Sequence, residues 1–296
     1  MDRLLSPKQV ALAIGSSESS LKRWCDQGLL NTVRTAGGHR RIPVQEALRF
    51  VRERNLEVAE PLLLAMVPST ERKARRIENA AGQFVDALIA DNEHACRALI
   101  MEHFQSGVSA SRICDEIIAP AFHTLGEKWE CHEVEIYEER SSCLTTLRLL
   151  NELREKLVPP TSSRFAMGAT LEGDHYSIPA TMAEIVLRST GWNTRLLGCS
   201  IPAASLISAI EQHQPAVFWL SVSHITDTSR VVSEINQIFE VALKHRTAVV
   251  VGGRALSSEI RSKLRYSAFC DTMQHLAEFS TTLQQHAAAA NPASPA

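Results

Sequence analysis

Apolar positions change their spacing twice along this chain, and the changes divide it into three zones. In the first, Ser6-Pro7 places a capping hydroxyl before a proline at the first helical position, and Gly15 ends the short helix that follows. Ser16 and Ser17 open a second helix to about Gln27, with Leu21 and Trp24 on its buried side. Beyond Gly28, LLNTVRTAGGHRRIP has strand residues on either side of a Gly37-Gly38 turn, the pattern of a short hairpin. The second zone, residues 71–157, repeats apolar residues three and four apart (Phe84, Leu88, Ile89; Leu144, Leu147, Leu150) with no strand signal. Breaks at Asp91-Asn92, Gln105-Ser106-Gly107 and Gly126 to Glu135 divide it into about four helices, a small bundle. From Arg164 the rhythm changes again. Short apolar runs (Phe165 to Ala169, Thr194 to Leu197, Ala216 to Ser221, Thr247 to Val251, Ser267 to Cys270) alternate with helical patterns such as Ala180 to Arg188. That is the βαβ alternation of a parallel sheet covered by helices.

The predicted fold class is therefore multidomain, α and α/β: a winged helix-turn-helix (1–55), a Pro61- and Pro68-bearing linker (56–70), a four-helix bundle (71–158) and a Rossmann-like parallel α/β domain (163–284). The residues from 285 to 296, rich in alanine and proline, read as a disordered tail. At 45% hydrophobic and 22% charged the composition is that of a folded globular chain. No stretch approaches the roughly 18 to 20 apolar residues of a spanning helix, and MDRLLSPKQV has no signal-peptide core. Seven cysteines with no C-x-x-C pair give neither a disulfide framework nor a thiolate zinc site. A reducing cytoplasm is the expected location, with no membrane partner.

Charge adds a partner. Residues 1–55 carry ten Lys and Arg against five Asp and Glu, a net of +5, which leaves −7 for the rest of a chain whose total is −2. A basic N-terminus on an acidic body points to nucleic acid at one end only. The second helix would enter the major groove of double-stranded promoter DNA with Ser19, Lys22 and Arg23, and the hairpin would bring Arg34, His39, Arg40 and Arg41 to phosphates. The runs S-P-K-Q-V-A, S-S-L-K-R-W-C-D-Q-G-L-L and T-A-G-G-H-R-R-I resemble the MerR-type winged helix-turn-helix. The resemblance implies self-association, as a dimer or tetramer, on near-palindromic operators. The proline-bearing linker stands where many members carry a long dimerising helix, which moves assembly to the later domains.

In the third zone, His175 follows the first predicted strand, Ser221-Val222-Ser223 the third and Gly252-Gly253 the fourth. All belong on the carboxyl edge of the sheet, where open α/β folds bind ligands. Small residues there admit a flat ligand close to the backbone, and His175 is a candidate metal ligand. No G-x-G-x-x-G follows the first strand, which disfavours a dinucleotide. With the preceding bundle, the pattern resembles cobalamin-binding domains of the methionine synthase type, in which D-x-H-x-x-G supplies an axial histidine and later Ser and Gly-Gly motifs line the nucleotide-tail cleft. Trp129 followed by Glu139-Arg140 is similar to the W-x9-E-H motif of the light-sensing, cobalamin-dependent MerR regulators called CarH or LitR. That resemblance implies a bundle capping the corrin, with Trp129 and Glu139 packed around an adenosyl group.

The sequence departs from those motifs at named positions. Arg140 replaces the histidine, Gly173 stands two residues before His175 where an acid is expected, and Ile178 replaces the glycine. Asp174 or Glu172 would have to orient the imidazole. Glu130 follows Trp129, leaving His132 as an alternative cobalt ligand and Cys131 as a candidate partner for haem or a bilin. The expectation is a non-enzymatic repressor that senses light through adenosylcobalamin (cofactor contacts Trp129, Glu139, Arg140, Asp174, His175, Ser221, Ser223, Gly252 and Gly253) by changing its oligomeric state. Alternatives are haem or biliverdin in the same cleft, a regulator that has lost its ligand, and a cobalamin-dependent methyltransferase or mutase component.

Overall fold

The computed structural model describes residues 4–14, 16–34, 40–43, 46–47, 49–50, 77, 79–160 and 165–289. The Gly37-Gly38 turn, His39, the linker at 56–70 and the last seven residues lie outside them, as does the side chain of Arg34.

Two compact units result, residues 1–76 and 77–296. In the first, β1 (Leu4–Leu5) leads into α1 (Pro7–Ala13). The Ser6 hydroxyl accepts from the Gln9 N–H while the Gln9 side chain accepts from the Ser6 N–H, satisfying two backbone donors reciprocally. Ser17 caps α2 (Glu18–Asp26) by accepting from the Ser20 N–H. β3 (Arg40–Pro43) pairs antiparallel with β1 on one side and with β2 (Val33–Arg34) on the other. The core gathers Leu5, Val10, Leu21, Leu30, Ile42 and Phe50, with Trp24 packed on Phe50 at 5.3 Å.

The second unit opens with α3 (Ala80–Ile89) and α4 (Glu93–Gln105). A continuous helix follows, made of α5 (Ala110–Ile113), a π-helical turn (Cys114–Ile118) and α6 (Ala119–Glu130); α7 (Ile136–Lys156) completes the bundle. The π turn has a cause in the sequence. Pro120 has no N–H to give to the preceding turn, and a local widening accommodates the missing bond without breaking the helix. The break expected from Gly126 to Glu135 is shorter in the structure. α6 continues through Gly126, at a cost of about 1 kcal/mol relative to alanine, and the turn occupies residues 131–135.

Five parallel strands follow: β4 (Phe165–Ala169), β5 (Asn193–Leu196), β6 (Val217–Ser221), β7 (Ala248–Gly252) and β8 (Ala268–Phe269), in the order β5-β4-β6-β7-β8. Alternate residues face opposite layers. Val217 and Trp219 join a core shared with the bundle, α8 (Ser177–Ser189) and α12 (Met273–Ala289). Phe218 and Leu220 join a second core under α9 (Ala203–His213) and α10 (Thr228–Lys244). Burial on both faces explains why the strands read as unbroken apolar runs. α11 (Ser258–Arg261) is a single turn after β7. α12 runs to Ala289, into the segment expected as tail from residue 285; its alanines are the strongest helix formers. No helix among the described residues is long and apolar enough to cross a membrane.

Candidate functional site

The loops leaving β4, β6, β7 and β8 meet at one edge of the sheet, and together with the bundle they enclose a cavity of about 750 Å³. On α6, Phe122, His123, Gly126, Trp129 and Glu130 fall on the one face that lines it, as helical spacing requires. Glu139, Arg140 and Cys143 enter from α7. His175, Tyr176, Ser221, Ser223, Gly252 and Gly253 form the sheet side, and the lining continues between α8, α12 and the sheet through Met182, Trp219, Val250 and Leu276. Two large apolar side chains of the bundle wall stay open to solvent, Trp129 at 46% and Ile136 at 60%. The Trp219 indole covers Gly168 of the neighbouring strand so closely that a Cβ there would lie 2.0 Å from the ring.

The charged groups in the wall are mostly engaged. Glu139 pairs with Arg140 at 3.5 Å and accepts the Cys143 S–H at 3.2 Å. Burial first, and the neighbouring carboxylate second, push the Cys143 thiol up to about 12, so it is protonated at neutral pH. Burial likewise raises Cys270, on the sheet side, to about 11. Asp115, placed by the π turn, accepts from the Met273 and Gln274 N–H groups at 2.8 and 2.9 Å and caps the first turn of α12. Asp115 thus ties the bundle to a helix of the sheet domain.

Comparison with known families identifies this region. Residues 165–278 match the family model described as the B12 binding domain, and residues 80–154 match a second model described in the same words. The chain carries two B12-binding domains. They point to a cobalamin-type cofactor. Among solved structures, the monomethylamine corrinoid protein of Methanosarcina barkeri is similar in fold, with a TM-score of 0.58 at 17% identity over 71% of this chain and 99% of that one. A cobalamin-binding protein from Desulfitobacterium hafniense (TM-score 0.35, 16% identity, 68% and 96% covered) also matches. So does the methanol:cobalamin methyltransferase complex of Methanosarcina barkeri (0.37, 13%, 79% and 91%). None of the curated proteins matches the sequence.

The B12-binding cleft suits a flat macrocycle. It offers Trp129, Ile136 and Phe122 as apolar surface on the bundle side, and the small residues Ser221, Ser223, Gly252 and Gly253 on the sheet side. Among the described residues no three His, Cys, Asp or Glu side chains gather as a metal site. On the sheet side the cleft offers the His175 imidazole.

Of the expected contacts, Trp129, Glu139, Arg140, His175, Ser221, Ser223, Gly252 and Gly253 all line the cleft. Asp174 does not. It is 2% exposed, its Oδ1 accepts from the Tyr176 N–H at 3.0 Å, and its Oδ2 accepts from the Ser223 and His224 N–H groups at 2.6 and 3.3 Å. It anchors two loops to each other and leaves the His175 ring alone. Glu172 turns the other way, toward Arg230 at 3.8 Å. Gly173 cannot be the expected acid because the chain turns there at φ +90°, a conformation glycine tolerates. With Asp174 as the buried acid, the residue two positions on, where D-x-H places its histidine, is Tyr176. His132 and Cys131, the alternative ligands, sit in the exposed turn after α6 and do not line the cleft; a φ of +58° at His132 belongs to that turn. Sequence reasoning missed Tyr176, His123, Asp115 and Arg254. The first and last were legible, since Tyr176 is two residues after Asp174 and Arg254 directly follows Gly252-Gly253.

In the first unit, Ser19, Lys22 and Arg23 are exposed on α2. Lys22 pairs with Glu18 at 2.8 Å, while Arg40 pairs with Asp26 at 2.7 Å and donates to the Lys22 carbonyl at 3.5 Å. Arg40 thereby ties β3 to the end of α2. Arg41 donates to the Arg40 carbonyl at 3.3 Å.

Proposed function

We propose that this chain is a DNA-binding transcriptional repressor controlled by a tetrapyrrole, adenosylcobalamin, held between bundle and sheet. One observation carries the reading: Trp129 and Ile136 are left exposed on the wall of a cleft of about 750 Å³ that also takes in Ser221, Ser223 and Gly252-Gly253, within the B12-binding domains. Large apolar side chains kept in the open at a concave site mark a surface built to be covered.

Adenosylcobalamin would supply a light-labile cobalt–carbon bond. The chain's residues do the rest. Trp129 and Glu139 would hold the ligand from the bundle side, Asp174 keeps the β4 and β6 loops in place, and His175 or Tyr176 would offer it a side chain from the sheet side. Occupancy biases the geometry of bundle against sheet, and that geometry sets how many copies assemble. Assembly acts on operator affinity by multivalency, through Ser19, Lys22, Arg23, Arg34, His39, Arg40 and Arg41 of the N-terminal unit.

The test is an absorbance spectrum of the pure full chain after incubation, separately, with adenosylcobalamin, hydroxocobalamin, haem and biliverdin, followed by particle size in the dark and after illumination. The expected outcome is a stable complex with adenosylcobalamin, altered in His175→Ala or Tyr176→Phe, and a different oligomer in light. A complex with haem or biliverdin alone assigns the cleft to that tetrapyrrole instead. Identical size in dark, lit and ligand-free samples overturns the photoswitch, and DNA affinity that does not fall steeply with salt overturns the role assigned to the cations.

A further inference from the structure

Three arginines line the cleft, and two of them are matched within the chain. Arg140 pairs with Glu139, and Arg261 pairs with Asp271 at 3.6 Å while lying over the Phe269 ring. Arg254 is different. Its guanidinium stands 5.0 Å above the Tyr176 ring, and its Nε donates to the Ser223 carbonyl at 3.4 Å. Its two terminal nitrogens make no hydrogen bond or ion pair among the described residues. Glu130, the other lining residue of that kind, ends α6 on the bundle wall.

The backbone fixes where Arg254 emerges. Gly253 has a φ of +127°, and a Cβ there would lie 2.2 Å from the Val222 carbonyl oxygen. The β7 loop is therefore packed directly on the β6 loop, and residue 254 is delivered to the rim beside Tyr176. Water solvates the terminal nitrogens while the cleft is open. A macrocycle seated over Tyr176 and Ser223 displaces that water, and a guanidinium desolvated without a partner is costly. Paired with a carboxylate or phosphate through two parallel N–H bonds, the same group becomes one of the strongest contacts available.

We infer that Arg254 grips an oxyanion of the bound tetrapyrrole, so that the cleft selects a ligand carrying a phosphodiester or a carboxylate at the Tyr176 rim. The inference rests on the tetrapyrrole reading above. The oxyanion has two sources: the phosphodiester of cobalamin's nucleotide tail, or a propionate of haem or biliverdin.

Absorbance titrations of the full chain distinguish them. Each ligand is paired with a counterpart that lacks the charge: cobalamin with cobinamide, and haem and biliverdin with their dimethyl esters. Arg254→Gln is expected to weaken the oxyanionic ligand that binds by about ten- to a hundredfold, and to leave its counterpart within about twofold. Arg254→Lys, which keeps the charge but not the fork, recovers part of the loss, and this recovery decides the matter where a counterpart binds too weakly to titrate. The pair that responds names the source. An unchanged Kd in Arg254→Gln, an equal loss for ligand and counterpart, or no recovery by lysine where that arm decides, overturns the inference and leaves the tetrapyrrole reading standing. A wild-type chain that binds none of the ligands overturns both.

Discussion

Asp174 accepts from three backbone N–H groups on two loops, which makes one carboxylate responsible for the shape of the sheet edge. Removing it strands the buried Ser223 N–H and releases the part-buried N–H groups of Tyr176 and His224. Asp174→Ala is expected to lower the unfolding free energy by at least about 2 kcal/mol, read from a urea midpoint at constant slope; Asp174→Asn, which keeps one carbonyl acceptor, loses less. The same residue shows why the acid expected to orient His175 was not legible: Asp174 is taken up by backbone N–H groups. The sequence displays the histidine, a conspicuous ligand, but not which neighbouring acid is buried and engaged. Burial of a single Asp in a loop leaves no periodic trace.

A second carboxylate gives a pH dependence. Glu46 pairs with Arg49 and accepts from the Asn31 N–H at 3.0 Å; the guanidinium holds its carboxyl down at about 2 from an ordinary 4.5, with partial burial opposing. Because the folded value lies below the unfolded one, this contribution is complete above about 4.5 and is lost as pH falls toward about 2. Melting of the N-terminal unit followed through that window should drop in the wild type. In Glu46→Gln the drop should be shallower.

At the scale of elements, the π turn has a result beyond relieving Pro120. By shifting the register of one helix it aims Asp115 at the first turn of α12, so a bundle residue caps a helix of the sheet domain. Asp115→Ala should cost about 0.5–2 kcal/mol, as cap removals do, and hydrogen exchange at the Met273 and Gln274 amides should accelerate more than at amides in β6. Equal exchange in the variant would remove the capping role. The helices and strands around this joint were legible because their apolar periods, near 3.6 and in short runs, are set by which faces are buried. What was illegible had the opposite character. Gly126 looked like a break because its local propensity is poor, yet packing of Leu125 and Ala121 on the bundle core outweighs it; the alanines after residue 285 looked like a tail because they bury nothing recognisable, yet they continue a helix already started.

For the whole molecule, the separation into two units has an energetic counterpart. The core of Leu5, Leu21 and Ile42 is distinct from the cores of the B12-binding region. Two thermal transitions are therefore expected, and ligand at about a hundred times its Kd should stabilise only the B12-binding unit, by about 2.7 kcal/mol. A common shift of both transitions would show that the units unfold together. The succession of bundle and sheet domain was readable from spacing, and so were His175, Ser221, Ser223, Gly252 and Gly253 in the cleft, because strand ends followed by Ser, Gly or His must converge on one sheet edge. The depth of the cleft was not readable, since it depends on which long side chains cross to the neighbouring strand.

Gly168 and Trp219 set that depth as a pair. Even a methyl at position 168 would displace the indole, which lines the cleft, and a smaller residue at 219 would enlarge the hollow beside whatever lies there. Ligand size is thus gauged at the floor, by two neighbouring strands that can only change together, while the arginine at the mouth gauges charge.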